Sequence, residues 1–129
     1  PLVLVVPLDH PLAHCPALGF NDTLGHDYVG LSASSALAVY LEEQALHCGL
    51  RMQVRIRAEG FDGVLRMVAR GAGLGIVPQA TIGRWQAPRT FKVVNLSEPW
   101  ADRKLLLCAR SFEQLPAYAV ALLEALSFN

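Results

Sequence analysis

The sequence predicts an α/β domain in which a mainly parallel β-sheet is flanked by helices. Segments with strand-like and helix-like patterns alternate along most of the 129 residues, and this alternation is typical of parallel sheets. The first strand, Leu2–Val6, is apolar on both faces, which indicates a strand covered by helices on both sides. Hydrophobic residues make up 53% of the chain, which is enough to fill one compact core.

The first long helix and the strands around it have clear boundaries in the sequence. Tyr28–Leu31 is predicted as a short strand, and Ser32–Ser35 supplies N-cap candidates for a helix that Gly49 ends. Met52–Ala58 alternates apolar and polar residues, as in a strand with one buried face. The helix between them is expected to bury a face made of Leu37, Tyr40, Leu41, Ala45 and Cys48.

The second half of the chain continues the alternation of helix and strand. Asp62 is predicted to cap a helix over 63–70, and a glycine-rich turn leads from it into a strand at Ile76–Val77. Pro78 is expected in the first turn of a brief helix through Ile82. The remaining predicted elements are strands at Phe91–Leu96 and Lys104–Ala109 and a helix at Glu113–Leu126.

Charge balance and cysteine content exclude several classes of protein. Eleven basic and eleven acidic residues give a net charge of zero, so the chain lacks the basic surplus with which proteins neutralise nucleic-acid phosphates. Cys15, Cys48 and Cys108 are too scattered for a disulfide framework, which favours reduced thiols in the cytoplasm. Leu2–Val6 is too short to span a bilayer and lacks the basic start of a secretory signal, so we expect no membrane contact. Because Pro1 leads directly into a strand, we expect a piece of a longer protein.

The segment Val68–Pro78 contains three glycines that invite comparison with a dinucleotide-binding loop. Gly71, Gly73 and Gly75 form the pattern G-x-G-x-G, whereas the dinucleotide fingerprint is G-x-G-x-x-G. They also follow a helix and precede a strand, which reverses the order that aims a helix N-terminus at a pyrophosphate. The segment therefore predicts a helix C-terminus followed by a tight turn, and we expect no cofactor.

Possible catalytic groups are weakly supported. Gly30–Ser34 resembles a nucleophile elbow but lacks its final glycine, and no His or Asp is placed by the sequence to serve a serine there. Spacing alone does not exclude a triad, and turnover lost on changing Ser34 would revive an enzymatic interpretation. His47 and Cys48 diverge on a helix and cannot form a catalytic pair. Serines that enter a helix are usually caps, and the N-terminus they cap can hold a carboxylate or another anion. We therefore do not expect an enzyme.

Two further groups of polar residues have a functional and a plain interpretation. His10, His14 and Cys15 crowd one proline-containing stretch, but no second ligand pair such as C-x-x-C lies downstream. We interpret them as loop residues and expect no metal. Arg55 and Arg57 share the polar face of their strand, where they can contact an anionic ligand, although solvent exposure or a salt bridge is the commoner arrangement.

Three stretches, in this order, resemble the effector-binding domain of LysR-type transcriptional regulators. Residues 1–13 are similar to the family's strand followed by His-Pro-Leu-Ala. Residues 65–78 resemble its signature of a valine, a small residue, Gly-x-Gly-Ile and Pro, and residues 103–110 resemble the strand before its last amphipathic helix. Order and spacing match for all three, so the resemblance covers nearly the whole chain.

The resemblance implies a periplasmic-binding-protein-like (type 2) fold with two α/β lobes and an effector cleft between them. Residues 1–7 and 104–110 would be crossing strands at the hinge, 8–103 the second lobe, and 111–129 a C-terminal helix of the first lobe. The family's winged helix-turn-helix is absent from this chain, so DNA contact would occur only through that missing element. The implied function is small-molecule sensing in a bacterial regulator, in which lobe closure changes the geometry of the DNA-bound oligomer.

By resemblance, one wall of the effector cleft lies where strands end and helices begin, as in open α/β sheets generally. We expect Ser34 and neighbouring N–H groups to hold a carboxylate or polar group of the effector, and Phe61 to pack against its carbon skeleton. The predicted effector-binding residues are Ser32, Ser34, Ser35, Phe61, Asp62, Val77 and Pro78. The alternative is a solute-binding lobe of a transport-type binding protein, which a secretory signal in the full-length gene product would favour.

Two apolar surfaces predict a homodimer or a rearranged packing of the last helix. The stripe of Leu115, Leu122, Leu123 and Leu126 lacks its expected first-lobe partner in this chain, and exposed stripes of this kind seek partners. In the resembled family, the face of a helix such as Leu37–Cys48 tends to meet a second subunit.

Overall fold

The computed structural model of the protein describes residues 1–102. The strands are β1 (Leu2–Pro7), β2 (Ala17–Leu18), β3 (Asp27–Leu31), β4 (Gln53–Ala58), β5 (Gly75–Pro78) and β6 (Phe91–Leu96). The α-helices are α1 (Phe20–Thr23), α2 (Ala36–His47), α3 (Phe61–Ala69) and α4 (Gln79–Gly83), and short 3₁₀ helices lie at Pro11–His14 and Pro99–Asp102. The expected crossing strand at 104–110, the C-terminal helix at 111–129 and its leucine stripe lie outside the described residues.

The strands form one continuous layer. β2, β6, β1 and β5 pair in that order, and β3 pairs with β4 in a second, two-stranded sheet. The two sheets are joined because the Val29 N–H donates to the Leu74 carbonyl at 2.7 Å and the Leu74 N–H donates to the Asp27 carbonyl at 2.9 Å. β3 therefore lies beside the start of β5, in parallel orientation, and the layer runs in the order β4-β3-β5-β1-β6-β2.

The sheet is mainly parallel as expected, except that β1 runs antiparallel to both of its neighbours among the described strands. Leu2 pairs with Pro78 of β5 and Val3 pairs with Asn95 of β6, both antiparallel, whereas β2–β6 and β3–β4 are parallel pairs. The sequence could not show this direction, because an apolar strand is buried between two helical layers whichever way its neighbours run. The α/β class and the helix-flanked sheet are confirmed.

The core lies on both faces of β1. Leu2, Leu4 and Val6 belong to a cluster that includes buried residues of α2, while Val3 and Val5 belong to a cluster that includes buried residues of α3. Alternate residues of a strand point to opposite faces, so β1 contributes side chains to both halves of the core. The prediction that Leu2–Val6 is covered on both sides is confirmed.

The predicted cap of α2 is confirmed. Ser35 Oγ accepts a hydrogen bond from the Ala38 N–H at 3.2 Å, and Ser35 is the N-cap residue. Leu37, Leu41 and Ala45 are buried as predicted. Cys48 is exposed instead of buried, because α2 ends at His47 and Cys48 only caps it.

Two other helix starts differ from the prediction. Gly60, in extended conformation, is the N-cap of α3, and Asp62 lies within its first turn. The helix therefore begins before Asp62, whose carboxylate still lies near the positive end of the helix dipole. Pro78 is the N-cap of α4 and not part of its first turn.

The turn after α3 confirms the structural interpretation of the glycine segment. Gly71 and Gly73 have φ angles of 86° and 157°, which L-residues with a side chain rarely adopt. A Cβ at Gly73 would lie 2.6 Å from the Asp27 carbonyl oxygen. Glycine therefore lets this turn approach β3 closely. The turn lies after a helix and forms no loop at a helix N-terminus.

Candidate functional site

Three strand-to-helix junctions meet at one edge of the sheet. Leu31 at the end of β3 pairs with Ala58 at the end of β4, and β5 runs parallel to β3. α2, α3 and α4 follow these three strands, so their N-termini all lie at this edge. We call it the front edge and define it by residues 31–35, 57–62 and 77–79. Such carboxyl ends are where open α/β sheets bind ligands.

The serines of the front edge have two different roles. Ser35 Oγ is engaged as the cap of α2. Ser32 Oγ and Ser34 Oγ lie 3.2 Å apart, and both residues are exposed. Hydroxyl groups can donate and accept, so this pair can bind a ligand next to the N-terminus of a 12-residue helix.

The other predicted site residues differ in how much surface they offer. Phe61 is half-buried and packs against both core clusters, and Asp62 is exposed. Val77 is fully buried and Pro78 is buried as well. The structure therefore places all seven predicted residues along the front edge, but Val77 can shape the site only through its backbone.

Arg57 is a front-edge residue that the sequence did not distinguish from Arg55. The Arg57 guanidinium donates to the Leu31 carbonyl at 2.8 Å, so its charge lies beside the loop that carries Ser32 and Ser34. Arg57 is exposed. Strand register distinguishes the two arginines, because Arg57 pairs with Gly30 near the end of β3. Register depends on a partner strand, so the sequence of β4 alone does not show it.

The free space at this edge is open and not enclosed within the lobe. A cavity between α2 and the β3–β4 pair, lined by Leu37, Leu41 and Val54, has a volume of only about 20 Å³, which suits one water molecule. A second cavity of about 270 Å³ is lined in part by Leu2, Val3, Gln79, Asn95 and Asp102. Leu2 pairs with Pro78, so this larger cavity adjoins the front edge and approaches the size of small-molecule pockets.

The described residues include no metal cluster and no membrane span. Across residues 1–102, no group of three or more His, Cys, Asp or Glu side chains is arranged to hold a metal ion. His10 Nδ1 instead accepts from the Leu12 N–H at 3.1 Å and caps a 3₁₀ helix. In the same part of the chain, no helix is long and apolar enough to cross a bilayer.

Comparison with known families decides the family of the chain. The model of the LysR substrate binding domain matches residues 1–127. The chain belongs to this family. LysR effector-binding domains are regulatory and not catalytic, and the periplasmic-binding-protein-like (type 2) fold expected from the resemblance is confirmed.

Solved structures of LysR-family domains share the fold. The chain is similar to the QuiR effector-binding domain in complex with shikimate (TM-score 0.66, 23% identity), with 76% of this chain and 46% of that chain covered. It is similar to the CcmR regulatory domain of Synechocystis PCC6803 in complex with 2-PG (TM-score 0.68, 18% identity), with 76% of this chain and 47% of that chain covered. It is also similar to the BenM effector-binding domain with its effector benzoate (TM-score 0.66, 23% identity), with 78% of this chain and 46% of that chain covered. The chain thus spans less than half the length of these domains. No curated protein matches it by sequence.

Proposed function

We propose that the chain is one wall of the effector cleft of a LysR-family transcriptional regulator. The observation that carries this proposal is the front edge, where three helix N-termini, two exposed serine hydroxyls and the Arg57 guanidinium converge. Solved relatives with the same fold hold shikimate, 2-PG and benzoate. Their ligands support a small-molecule effector for this chain as well.

The chemistry of the front edge favours an effector with a carboxylate. Ser32 and Ser34 can donate hydroxyl hydrogen bonds, and the unpaired N–H groups in the first turn of α2 add a positive dipole end. Arg57 adds a full positive charge and most of its N–H donors, since one nitrogen donates to the Leu31 carbonyl. A guanidinium matches the planar geometry of a carboxylate.

The remaining front-edge residues would position the rest of the effector. The half-buried ring of Phe61 offers an apolar surface for a carbon skeleton. Exposed Asp62 can accept a hydrogen bond from a hydroxyl or amino group of the ligand. The buried pair Val77 and Pro78 forms a fixed floor where α4 begins.

Sensing requires parts of the regulator beyond this chain. Because the chain covers only part of the solved effector-binding domains, from 46% to 58% of their length, we infer that a second lobe completes the cleft. Ligand binding would favour the closed arrangement of the lobes and thereby change the geometry of a DNA-bound oligomer. DNA contact would come from a winged helix-turn-helix elsewhere in a bacterial, cytoplasmic protein, and this chain would have no catalytic activity of its own.

A homodimer is the assembly that the surface of α2 supports. Leu46 is 56% exposed near the end of α2, and Leu50 just beyond it is 45% exposed. Large apolar side chains exposed at one end of a helix favour a protein partner. We propose that a second copy of the protein covers this end of α2, which light scattering on the full-length protein tests.

A binding assay with paired arginine variants tests the proposed cleft. The full-length protein is screened by thermal shift against small carboxylates, and the affinity of a hit is measured by calorimetry for Ser34→Ala and Arg57→Gln. We expect each to weaken binding by about tenfold or more, because a hydrogen bond to a charged group contributes about 1.5–3 kcal/mol. Arg55→Gln removes the same charge from the same strand and serves as the control. Equal losses in the two arginine variants, or no loss in either, would contradict the assignment.

A further inference from the structure

A second groove lies at the opposite edge of the sheet, where β3, β4 and β5 begin and β1 ends. Its volume is about 380 Å³. We call it the back groove. The side chains that line it are those of His10, His26, Asp27, Gln53 and Arg55, and the turn at 71–73 forms one wall. None of these residues belongs to the front edge.

The walls of the back groove are fixed by the backbone. The Leu74 N–H donates to the Asp27 carbonyl at 2.9 Å, which ties the glycine turn to the start of β3. Gly73 lies so close to Asp27 that a Cβ would meet its carbonyl oxygen. The His10 N–H donates to the Pro7 carbonyl at 3.0 Å and holds the opposite wall against the end of β1. The groove is therefore shaped before any ligand arrives.

Hydrogen-bond donors predominate in the back groove. Arg55 donates from one nitrogen to Asp27 Oδ2 at 3.4 Å, and both side chains remain well exposed. This contact is longer than a strong charge-assisted hydrogen bond, and it leaves most guanidinium donors available. Because His10 Nδ1 accepts from the Leu12 N–H, its neutral ring carries a proton on Nε2. A ligand rich in acceptor oxygens fits this set.

Two imidazole rings contact each other in the back groove. The rings of His10 and His26 have centroids 4.9 Å apart in an edge contact. Burial lowers the pKa of His10, a positive charge on His26 lowers it further, and Asp9 opposes both effects. Two imidazolium rings at this separation repel each other, and an anion between them would offset that repulsion.

We propose that the back groove binds a small oxyanion through Arg55, His26 and the Nε2–H of His10, and that binding is coupled to uptake of a proton by the pair of imidazoles. Asp27 lines the groove and Asp9 acts on His10, so their negative charges oppose an anion while the histidines are neutral. Proton uptake by the imidazoles adds positive charge, which offsets the two carboxylates and favours the anion. The site is independent of the proposed effector cleft, since it lies at the other end of the same strands.

Sulfate is a suitable probe because it keeps its charge across the pH range in which histidine titrates. Amide chemical shifts of the full-length protein are followed during sulfate titration at constant ionic strength. The titration is done at about pH 5.5 and about pH 8, on either side of the ordinary histidine pKa of roughly 6.5. We expect saturable shifts near residues 25–27 and 71–73. As the pH rises, the affinity for sulfate should fall by about tenfold per pH unit for each proton taken up on binding.

Matched variants separate the back groove from general anion binding. Arg55→Gln and His26→Gln should remove the saturable shifts, whereas Arg57→Gln removes the same charge from the front edge and should leave them unchanged. His10→Asn keeps a side-chain acceptor for the Leu12 N–H, so it should reduce the pH dependence without loss of the fold. Ser34→Ala should bind sulfate normally even where it weakens the effector. Shifts that do not saturate, that are equal at both pH values, or that persist in Arg55→Gln would overturn the proposal.

Discussion

The two edges of the sheet are built from the same strands but present different chemistry. At the front edge, Arg57 donates to a backbone carbonyl and lies beside two exposed serines. At the back edge, two residues earlier on β4, Arg55 pairs with the Asp27 carboxylate beside two histidines. Both arginines are on the polar face of one strand, so what distinguishes them is the partner that β3 supplies at each end.

The two edges also differ in how the backbone is held. At the back edge, Gly73 lies so close to β3 that a Cβ there would meet the Asp27 carbonyl oxygen. The front edge is held by helix caps such as Ser35, while Ser32 and Ser34 stay exposed. The backbone of the back edge is therefore fixed by a close approach between two segments, whereas the front edge keeps two exposed hydroxyls beside a helix N-terminus.

The largest expected effect comes from adding a methyl group at the back edge. Gly73→Ala places a Cβ at 2.6 Å from a backbone oxygen that cannot move freely, at a φ of 157°. We expect a loss of about 3 kcal/mol or more in the free energy of unfolding. Urea denaturation followed by circular dichroism measures it.

Gly71→Ala is the matched control for that change. Gly71 also has positive φ, at 86°, but a Cβ there meets nothing within 4 Å. Backbone strain alone should cost about 1 kcal/mol. If the two variants lose equal stability, the close approach of the turn to β3 is not what fixes the back edge.

A smaller effect separates the serines of the front edge. Ser35→Ala removes the cap of α2 and should lower the free energy of unfolding by about 1 kcal/mol. Ser34→Ala, at an exposed position without a capping role, should change stability by less than about 0.5 kcal/mol while weakening the effector. Thermal denaturation of both variants measures the difference. The reverse order of stabilities would mean that Ser34 is structural.

The smallest effect is a pH dependence of stability that originates at the back edge. The pKa of His10 is lowered in the folded chain, first by burial and then by His26, so the unfolded chain binds the proton more readily. Stability from this residue is complete above its unfolded pKa and is lost as pH falls from roughly 6.5. His10→Asn should flatten this part of the profile, and His14→Asn, at an exposed histidine, should not. Denaturation midpoints measured across that pH range test this prediction. Equal pH dependence in the two variants would contradict it.

Local patterns predicted most elements of the described chain. β1, β3, β4 and β6 lie where apolar runs and alternation placed them, and α2 begins at a serine cap. These features depend on neighbours within a few residues, which a single sequence displays.

Local patterns could not predict contacts between residues that lie far apart in the sequence. The antiparallel direction of β1 depends on β5 and β6, far along the chain. The Glu98 carboxylate accepts from the Phe20 N–H at 2.8 Å across 78 positions and holds α1, a tie that no local spacing indicates. The separate surroundings of Arg55 and Arg57 likewise follow from pairing with β3. The candidate site was therefore predicted as a set of loops, but its arginine was not assigned.

The most direct test of the central claim is to map where an effector binds. Amide chemical shifts of the full-length protein, measured with and without a carboxylate that raises its thermal stability, report which edge it contacts. The front-edge assignment predicts saturable shifts at 31–35 and 57–62, lost in Arg57→Gln and kept in Arg55→Gln. Shifts confined to 25–27 and 71–73, or lost only in Arg55→Gln, would contradict it.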